Sequence, residues 1–251
     1  MIRSYQKNQI QIIELNRPKV NAIDDSLISS LNVELDKVER NDSIKGLILT
    51  GQSGVFSAGL DIVSLYNKDK EYMETFWLMF SSLLLRIYRY PKLVFSAISG
   101  HSPAGGTVIS IMTDYRVMSK GNYVIGLNEV AVGLSMPIGI GRVFQSLLGE
   151  RVAEKMTLTG KLVNPEEAES IGLIDKVVES ENLLNYSIET MNKWLKLPFN
   201  KQIESKLSLR KEVIDLMVDT VKKENDNFIK AWFSDECRMT MKKIINKLSK
   251  K

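Results

Sequence analysis

Hydrophobic and polar positions follow two periods along the first 180 residues or so, and together they predict alternating strands and helices. Ile10–Leu15 has the alternation of a strand. Ile44–Thr50 and Leu93–Ser99 are short, nearly continuous apolar runs, as strands covered on both faces are. Tyr115–Met118 and the segment LIDKVV predict two more strands. Strands that alternate with helices indicate an α/β fold with a mainly parallel sheet.

The segments between these strands have helical periodicity. Asp24 or Asp25 is placed to cap a helix that has four apolar residues on one face: Leu27, Leu31, Leu35 and Val38. A longer helix ends at Pro91, and its apolar stripe consists of Phe76, Phe80, Leu83, Leu84 and Ile87. The segment TVISIMTD predicts a buried helix, and GHSPAGG in front of it predicts a turn.

The pattern from about Glu181 to the end is helical only. One apolar stripe there consists of Cys237, Met241, Ile244, Ile245 and Leu248. We predict that residues 1–195 form an α/β core. Residues 196–251 would then form a C-terminal helical region that acts as a lid or an oligomer contact.

Composition is that of one globular unit. The 251 residues are 44% hydrophobic and 25% charged, which is enough for one good core. The single Cys237 excludes an internal disulfide and favours a reducing compartment. The net charge of +4 comes partly from lysines near the end, a pattern typical of a solvated helix end, so we expect no nucleic-acid partner. These lysines are Lys242, Lys243, Lys247, Lys250 and Lys251.

The stretch from Leu93 to Thr113 has no formal charge, which raises the question of a membrane span. His101, Pro103 and three glycines would leave backbone groups unsatisfied in lipid, so we expect no span. The N-terminal MIRSYQKNQIQIIEL enters a strand pattern almost at once and lacks a signal-peptide core. We therefore expect a cytoplasmic protein or a mature mitochondrial form.

Two glycine turns share one arrangement. SAGLD (57–61) follows the first continuous apolar run, and PAGG (103–106) follows the second. A helix beginning at such a turn points unpaired N–H groups outward, and two of them aimed at one point make an oxyanion hole. Glycines also simply permit tight turns and close packing, and spacing alone favours that second interpretation. Neither turn has the form GxGxxG or GxxxxGKS, so a dinucleotide fold or a P-loop is unsupported.

Three motifs in order resemble the crotonase (enoyl-CoA hydratase/isomerase) superfamily: GVFSAGLD, SAISGHSPAGGTVISIMTDYRV and YVIGLNEVAVGL. The likeness continues through TLTGKLVNPEEAESIGLIDKVV and is strongest to the mitochondrial-type Δ3,Δ2-enoyl-CoA isomerases. It implies a crotonase-like (ClpP/crotonase) spiral of repeated ββα units with a C-terminal helical region. It also implies an acyl-CoA substrate, no cofactor, no metal, and a homotrimer or a dimer of trimers.

The resemblance assigns roles to the two turns. In the superfamily each turn gives one backbone N–H to the thioester oxygen of an acyl-CoA, and by position these belong to Leu60 and Gly105. The first turn also binds CoA, through a strip that corresponds here to Ala58, Gly59, Leu60, Asp61 and Ile62. A helix cap explains Asp61 equally well.

Hydratases of the superfamily use two glutamates, and this sequence matches only one of them. The first position falls at Val108 and the second at Glu129. One base without a second acid favours double-bond migration, in which Glu129 takes a proton from C2 of a 3-enoyl-CoA and returns it at C4. Partial burial would raise the pKa of that carboxyl group toward the range that a base needs. Asn128 is either a ligand contact or a turn residue.

Other candidate residues are weaker. His101 is the only histidine, which excludes a site with several histidines on a metal, and it points away from its neighbour Ser102 in an extended chain. Cys237 on an apolar stripe is more typical of a core than of a nucleophile. We expect an isomerase of fatty-acid β-oxidation. A hydratase or another acyl-CoA-enolate enzyme stays possible, as does a catalytically silent protein that binds RNA or a partner through its basic tail.

Overall fold

A six-stranded sheet runs through the protein, of which this computed structural model describes residues 1–248. Its strands, in spatial order, are β1 (Ile2–Lys7), β2 (Ile10–Leu15), β3 (Gly46–Thr50), β5 (Leu93–Ile98), β7 (Tyr115–Ser119) and β9 (Lys176–Val178). β1 is antiparallel to β2, and every other pairing is parallel. The predicted α/β class with a mainly parallel sheet is confirmed. β1 was not predicted because five of its six residues are exposed and no apolar face marks it.

Both faces of this sheet are covered, which is why β3 and β5 are continuous apolar runs. Leu47 and Leu49 of β3 enter the main core, whereas Ile48 between them enters a second cluster on the other face. Helix α8 (Leu183–Trp194) closes that second cluster through side chains such as Met191.

The other helices lie mostly on the main-core side. They are α1 (Asp25–Arg40), α2 (Ile62–Leu65), α3 (Lys70–Tyr88), α4 (Gly105–Ile111), α5 (Ile138–Leu148), α6 (Glu150–Thr159), α7 (Pro165–Ser170), α9 (Phe199–Trp232) and α10 (Asp235–Leu248). Asp24 caps α1 by accepting a hydrogen bond from the Leu27 N–H at 2.8 Å. α3 ends before Pro91 as predicted, and its predicted apolar stripe is buried.

A second, smaller sheet consists of three short parallel strands in the order β4 (Gly54–Val55), β6 (Gly100–Pro103) and β8 (Ile125–Gly126). The prediction that all of GHSPAGG is a turn was therefore wrong, since its first four residues form β6. Glycine is needed at the pairing itself: a Cβ on Gly100 would lie 2.0 Å from the carbonyl carbon of Gly54. The strand depends on partners far along the chain, which no local pattern reveals.

Three repeats of the chain place a strand in the large sheet and then one in the small sheet. The strand pairs are β3–β4, β5–β6 and β7–β8. Helix α2 follows the first pair, α4 follows the second, and a 3-10 helix (Glu129–Val132) follows the third. The predicted ββα repeat is thus present. Because β4, β6 and β8 are adjacent and parallel, the segments that follow them lie side by side at one sheet edge. These segments contain both glycine turns and Glu129.

The C-terminal helices α9 and α10 pack back on the core. Trp232, Cys237 and Met241 are fully buried in the main cluster, whereas Leu248 is half exposed. Asp114 anchors α9 through ion pairs with Lys206 and Arg210, both at 2.9 Å. Lys250 and Lys251 of the basic tail lie outside the described residues. The boundary at residue 196 and the lid or oligomer role stay predictions.

Within residues 1–248, none of the helices combines the length and the hydrophobicity that crossing a membrane would require.

Candidate active site

A cavity of about 440 Å³ lies at the ends of the three short strands. Leu60, Gly105 and Glu129, one from each of the following segments, all line it. The rest of the wall is largely apolar and comes from α3, α5, α9 and α10, with side chains such as Trp77, Phe80, Ile140, Phe228, Trp232 and Met241. The size and the few polar groups are those of a small-molecule site.

The backbone N–H of Leu60 is left free by a bridge to a neighbouring segment. The Ile23 N–H donates to the Gly59 carbonyl at 2.8 Å, and the Ile23 carbonyl accepts from the Asp61 N–H at 2.9 Å. Leu60 lies between these two bonds, so its own N–H points away from Ile23. Among residues 1–248 that N–H has no acceptor. The predicted helix start is present, since Asp61 of this turn is the N-cap of α2, but Leu60 precedes the helix, so the bridge to Ile23 is what frees its N–H.

The backbone N–H of Gly105 is free because Gly105 is the first residue of α4, where N–H groups have no intrahelical partner. It lies next to the first turn: a Cβ on Gly59 would be 3.1 Å from the Gly105 nitrogen, and a Cβ on Gly105 would be 3.4 Å from the Leu60 nitrogen. The two glycines therefore keep open the space between two unpaired donors.

Ala104 sets the direction of the second turn, which the sequence did not reveal. Its φ of 48° and ψ of −121° belong to a region that glycine usually occupies. Its N–H donates to the Gly126 carbonyl at 2.9 Å, which ties the turn to β8. This conformation is strained for a residue other than glycine, and the surrounding contacts hold Ala104 in it.

Glu129 presents a carboxylate of which one oxygen has no partner among residues 1–248. Its Oε2 atom is buried and makes no hydrogen bond within the described part of the chain. Burial raises the pKa of the carboxyl group from 4.5 to about 7, and a smaller, opposite effect comes from a backbone hydrogen bond that lowers it. A buried, unpaired acid is costly to keep, so a raised pKa in a cavity is a mark of a functional group. The Oδ1 atom of Asn128, which also lines the cavity, is likewise buried and unpaired.

Val108 lies one helical turn after Gly105 and also lines the cavity. Its side chain is buried and apolar, so no acid stands at this position of the wall. Asp61 is the other acid that lines the cavity, and it is already engaged. It caps α2 by accepting from the Ser64 N–H at 3.1 Å, and it pairs with Arg17 at 2.6 Å. Glu129 is the acid that these contacts leave available as a base.

The predicted CoA strip is only partly on the cavity wall. Ala58, Leu60, Asp61 and Ile62 line the cavity, whereas Gly59 does not, and its carbonyl accepts a hydrogen bond from the Ile23 N–H. The structure shows the Asp61 cap, and CoA contact by this strip stays a prediction.

Two residues that position this strip were missed in the sequence. Asn21 is fully buried. Its side-chain amide donates to the Phe56 backbone carbonyl at 3.0 Å, and its backbone carbonyl accepts from the Ser57 hydroxyl at 2.7 Å. Arg17 joins Asp61 to Asp24 through ion pairs of 2.6 and 2.9 Å. The polar loop NRPKVNAID was the only available signal.

The weaker candidates stay outside the chemistry. His101 is exposed and accepts a hydrogen bond from the Val124 N–H at 3.3 Å, while Ser102 is buried on the other side of β6. They form no nucleophile–base pair, as expected. Cys237 is buried, and burial raises the pKa of its thiol to about 11, which confirms a core role.

Comparison with protein families decides what kind of protein this geometry belongs to. The family model described as enoyl-CoA hydratase/isomerase matches residues 5–251. The chain belongs to the enoyl-CoA hydratase/isomerase family. It is accordingly an enzyme of that family, and an acyl-CoA thioester fits it as substrate.

Members of both branches of the enoyl-CoA hydratase/isomerase family resemble this chain. Enoyl-CoA delta isomerase 1, mitochondrial, of Mus musculus is 31% identical over 244 residues, which are 96% of this chain and 84% of that protein. The short-chain-enoyl-CoA hydratase of Clostridium acetobutylicum is 28% identical over 189 residues, 74% and 72% of the two chains.

A solved structure confirms the predicted crotonase fold. The crystal structure of human mitochondrial delta3-delta2-enoyl-CoA isomerase matches with a TM-score of 0.96 and 27% identity, covering 99% of this chain and 98% of that one. The similarity includes the C-terminal helices.

Proposed function

We propose that this enzyme is a Δ3,Δ2-enoyl-CoA isomerase, which moves the double bond of a 3-enoyl-CoA to the trans-2 position during β-oxidation of unsaturated fatty acyl chains. The observation that carries the proposal is the carboxylate of Glu129: its buried Oε2 atom has no hydrogen-bond partner among residues 1–248, and Val108, which lines the same cavity, is apolar. The mouse relative and the human structure, both named as isomerases, support it.

In the proposed reaction the thioester oxygen accepts hydrogen bonds from the Leu60 and Gly105 N–H groups. These bonds strengthen as negative charge develops, and one such donor is worth about 3–4 kcal/mol in a transition state. Glu129 removes a proton from C2, and the electron pair spreads into a dienolate held by the two donors. The same carboxyl group returns the proton at C4, so that C2=C3 forms as C3=C4 is lost. Nothing is oxidised or reduced, so the reaction requires no redox cofactor, and the two N–H donors supply the stabilisation of the developing negative charge.

Hydration of a 2-enoyl-CoA requires different groups in the active site. A water must be held and deprotonated while C2 receives a proton, and two carboxyl groups share this work in the two-glutamate hydratases. Val108 neither holds nor deprotonates water. The Clostridium relative keeps hydration as the second candidate, since Glu129 alone is able to activate a water. A silent binding protein would retain a costly buried carboxylate without use.

The proposal has three further parts. The Ala58–Ile62 strip binds the CoA part of the substrate, and Asn128 contacts the ligand. The chain assembles as a homotrimer or a dimer of trimers. It works in the cytoplasm or, like the mitochondrial isomerases it resembles, in mitochondria.

Incubation with 3-enoyl-CoA and with 2-enoyl-CoA of the same chain length tests the proposal. We expect conversion of the first to trans-2-enoyl-CoA to be faster than hydration of the second, with both products identified by NMR. Val108→Glu is the matched control, and it should raise only the hydration rate. Hydration as fast as isomerisation in the unmodified enzyme would place the protein with the hydratases.

The rate should depend on pH through Glu129. Only the carboxylate accepts a proton, so kcat/KM should rise with pH and level off above about 7, the raised pKa of Glu129. The same shift affects stability: the folded state gains from protonation below the unfolded pKa of 4.5, and this gain is lost as pH rises through about 7. A pH–rate profile measured on 3-enoyl-CoA checks the midpoint. A midpoint near 4.5 would mean that burial does not raise the pKa of Glu129 in the working enzyme.

A further inference from the structure

A second cavity, of about 210 Å³, lies between α3, α5 and α9. It shares a wall with the active-site cavity, because Trp77, Pro137 and Ile140 line both. Its own lining is mainly apolar and includes Leu84, Leu85, Met217 and Val221. Glu224 is at its edge, where its carboxylate accepts from the Ile138 N–H at 3.3 Å. The surface of this second cavity suits a hydrocarbon chain.

Exposure along the active-site cavity shows which end is closed. Val63 and Leu248, each 52% exposed, mark an open side. Trp77, Phe80 and Trp232 are buried and mark the interior. Trp77 is thus a buried wall residue with a further apolar space directly behind it.

Packing alone holds Trp77 in this wall. Its ring stacks on Phe228 with centroids 3.8 Å apart and an angle of 6°, and it meets Phe80 at 5.9 Å. Its indole Nε1 is buried without a hydrogen-bond partner among the residues described. The indole therefore serves as an apolar partition between the two cavities.

We propose that Trp77 limits the length of the acyl chain: its indole stops the chain inside the active-site cavity, and the space behind it is the path a longer chain takes when the indole is removed. The inference rests on the proposed function, since it assumes an enoyl-CoA whose tail enters the apolar part of the cavity. Each further CH₂ that finds apolar space improves binding by roughly fourfold.

Ser81 provides a matched control on the same helix. It lies four residues after Trp77 on α3, hence on the same side of the helix, and it lines the second cavity but not the first. A leucine there fills the space behind the partition without touching the active site. Ser81→Leu alone should leave the chain-length preference of the unmodified enzyme unchanged.

The experiment compares the unmodified enzyme with Ser81→Leu, Trp77→Ala, Trp77→Phe and Trp77→Ala/Ser81→Leu. Two quantities are measured on each: kcat/KM for 3-hexenoyl-, 3-decenoyl- and 3-tetradecenoyl-CoA, and Kd for the saturated acyl-CoAs of the same lengths by calorimetry. We expect Trp77→Ala to shift the long-to-short ratio of both quantities at least about tenfold toward long chains, the gain of two or more buried CH₂ groups. Trp77→Phe should keep most of the original preference, and the double variant should return toward it.

An unchanged ratio in Trp77→Ala, with 3-hexenoyl-CoA still converted, overturns the role of Trp77 and leaves the isomerase proposal standing. If the unmodified enzyme converts no 3-enoyl-CoA, the isomerase proposal fails, and the Kd series still decides whether Trp77 limits chain length. Circular dichroism checks folding. Trp77→Leu replaces Trp77→Ala in the same comparison should the alanine variant not fold, because leucine keeps more of the packing against Phe228.

Discussion

Gly105→Val should lower the isomerisation rate by about 10²–10³-fold, the effect of losing one oxyanion donor, with a much smaller effect on the melting temperature. The added Cβ would lie 3.4 Å from the Leu60 nitrogen, in the space where the thioester oxygen is proposed to sit. Its closest protein neighbours would be the Cδ1 end of the Ile23 side chain, at 2.9 Å, and the backbone Cα of Gly59, at 3.2 Å, and both contacts are looser than the 2.6 Å that a Cβ on Gly106 would make with a backbone oxygen. The substitution therefore crowds the ligand more than the fold. Rates on 3-enoyl-CoA and thermal melts measure the two effects.

Gly106→Ala is the matched control for packing. A Cβ at that position would lie 2.6 Å from the backbone carbonyl oxygen of Ser57, which is not free to move aside. Overpacking of this kind costs about 1–3 kcal/mol of stability, or roughly 2–12 °C in melting temperature for a chain of this size. If Gly105→Val lowers the melting temperature as much as Gly106→Ala does, and its activity follows the folded fraction, the glycines of PAGG serve packing alone.

The large sheet, apart from its edge strand β1, could be predicted from the sequence, whereas the small one could not. β3 and β5 are buried on both faces, so every residue contributes to a continuous apolar run. β4 and β8 have two residues each, and the close backbone approach of Gly54 in β4 to Gly100 in β6 joins positions that are far apart in the chain. Helix α5 was missed as well, because the two glycines in IGIGRVFQSLL lower helix propensity and only tertiary packing stabilises it.

In the candidate site, too, some features could be predicted from the sequence and others could not. The sequence motifs pointed to Leu60, Gly105 and Glu129, since short motifs in order are visible without a structure. What makes these groups reactive was not visible: the Ile23 bridge that frees the Leu60 N–H, and the burial that leaves Glu129 Oε2 unpaired. Both depend on contacts between segments that are distant in the chain.

Glu129→Gln should abolish most isomerisation while the enzyme keeps its fold and its affinity for acyl-CoA. The amide is nearly the same shape as the carboxylate but accepts no proton, and a positioned base contributes about 10²–10⁴-fold. Stability should not fall at a pH above about 7, because the unmodified enzyme there carries a buried charge that glutamine removes. A variant that is at least as stable and yet inactive would separate catalysis from folding.

The most direct test of the account is the single-turnover rate of bound 3-enoyl-CoA in the unmodified enzyme and in Glu129→Gln, at a pH about one unit above 7, with Kd for a saturated acyl-CoA measured on both. The account predicts a rate at least about 10²-fold lower in the variant, with Kd nearly unchanged. A variant that binds acyl-CoA equally well and retains more than about a tenth of the rate would contradict it, because Glu129 would then not be the group that carries the proton from C2 to C4.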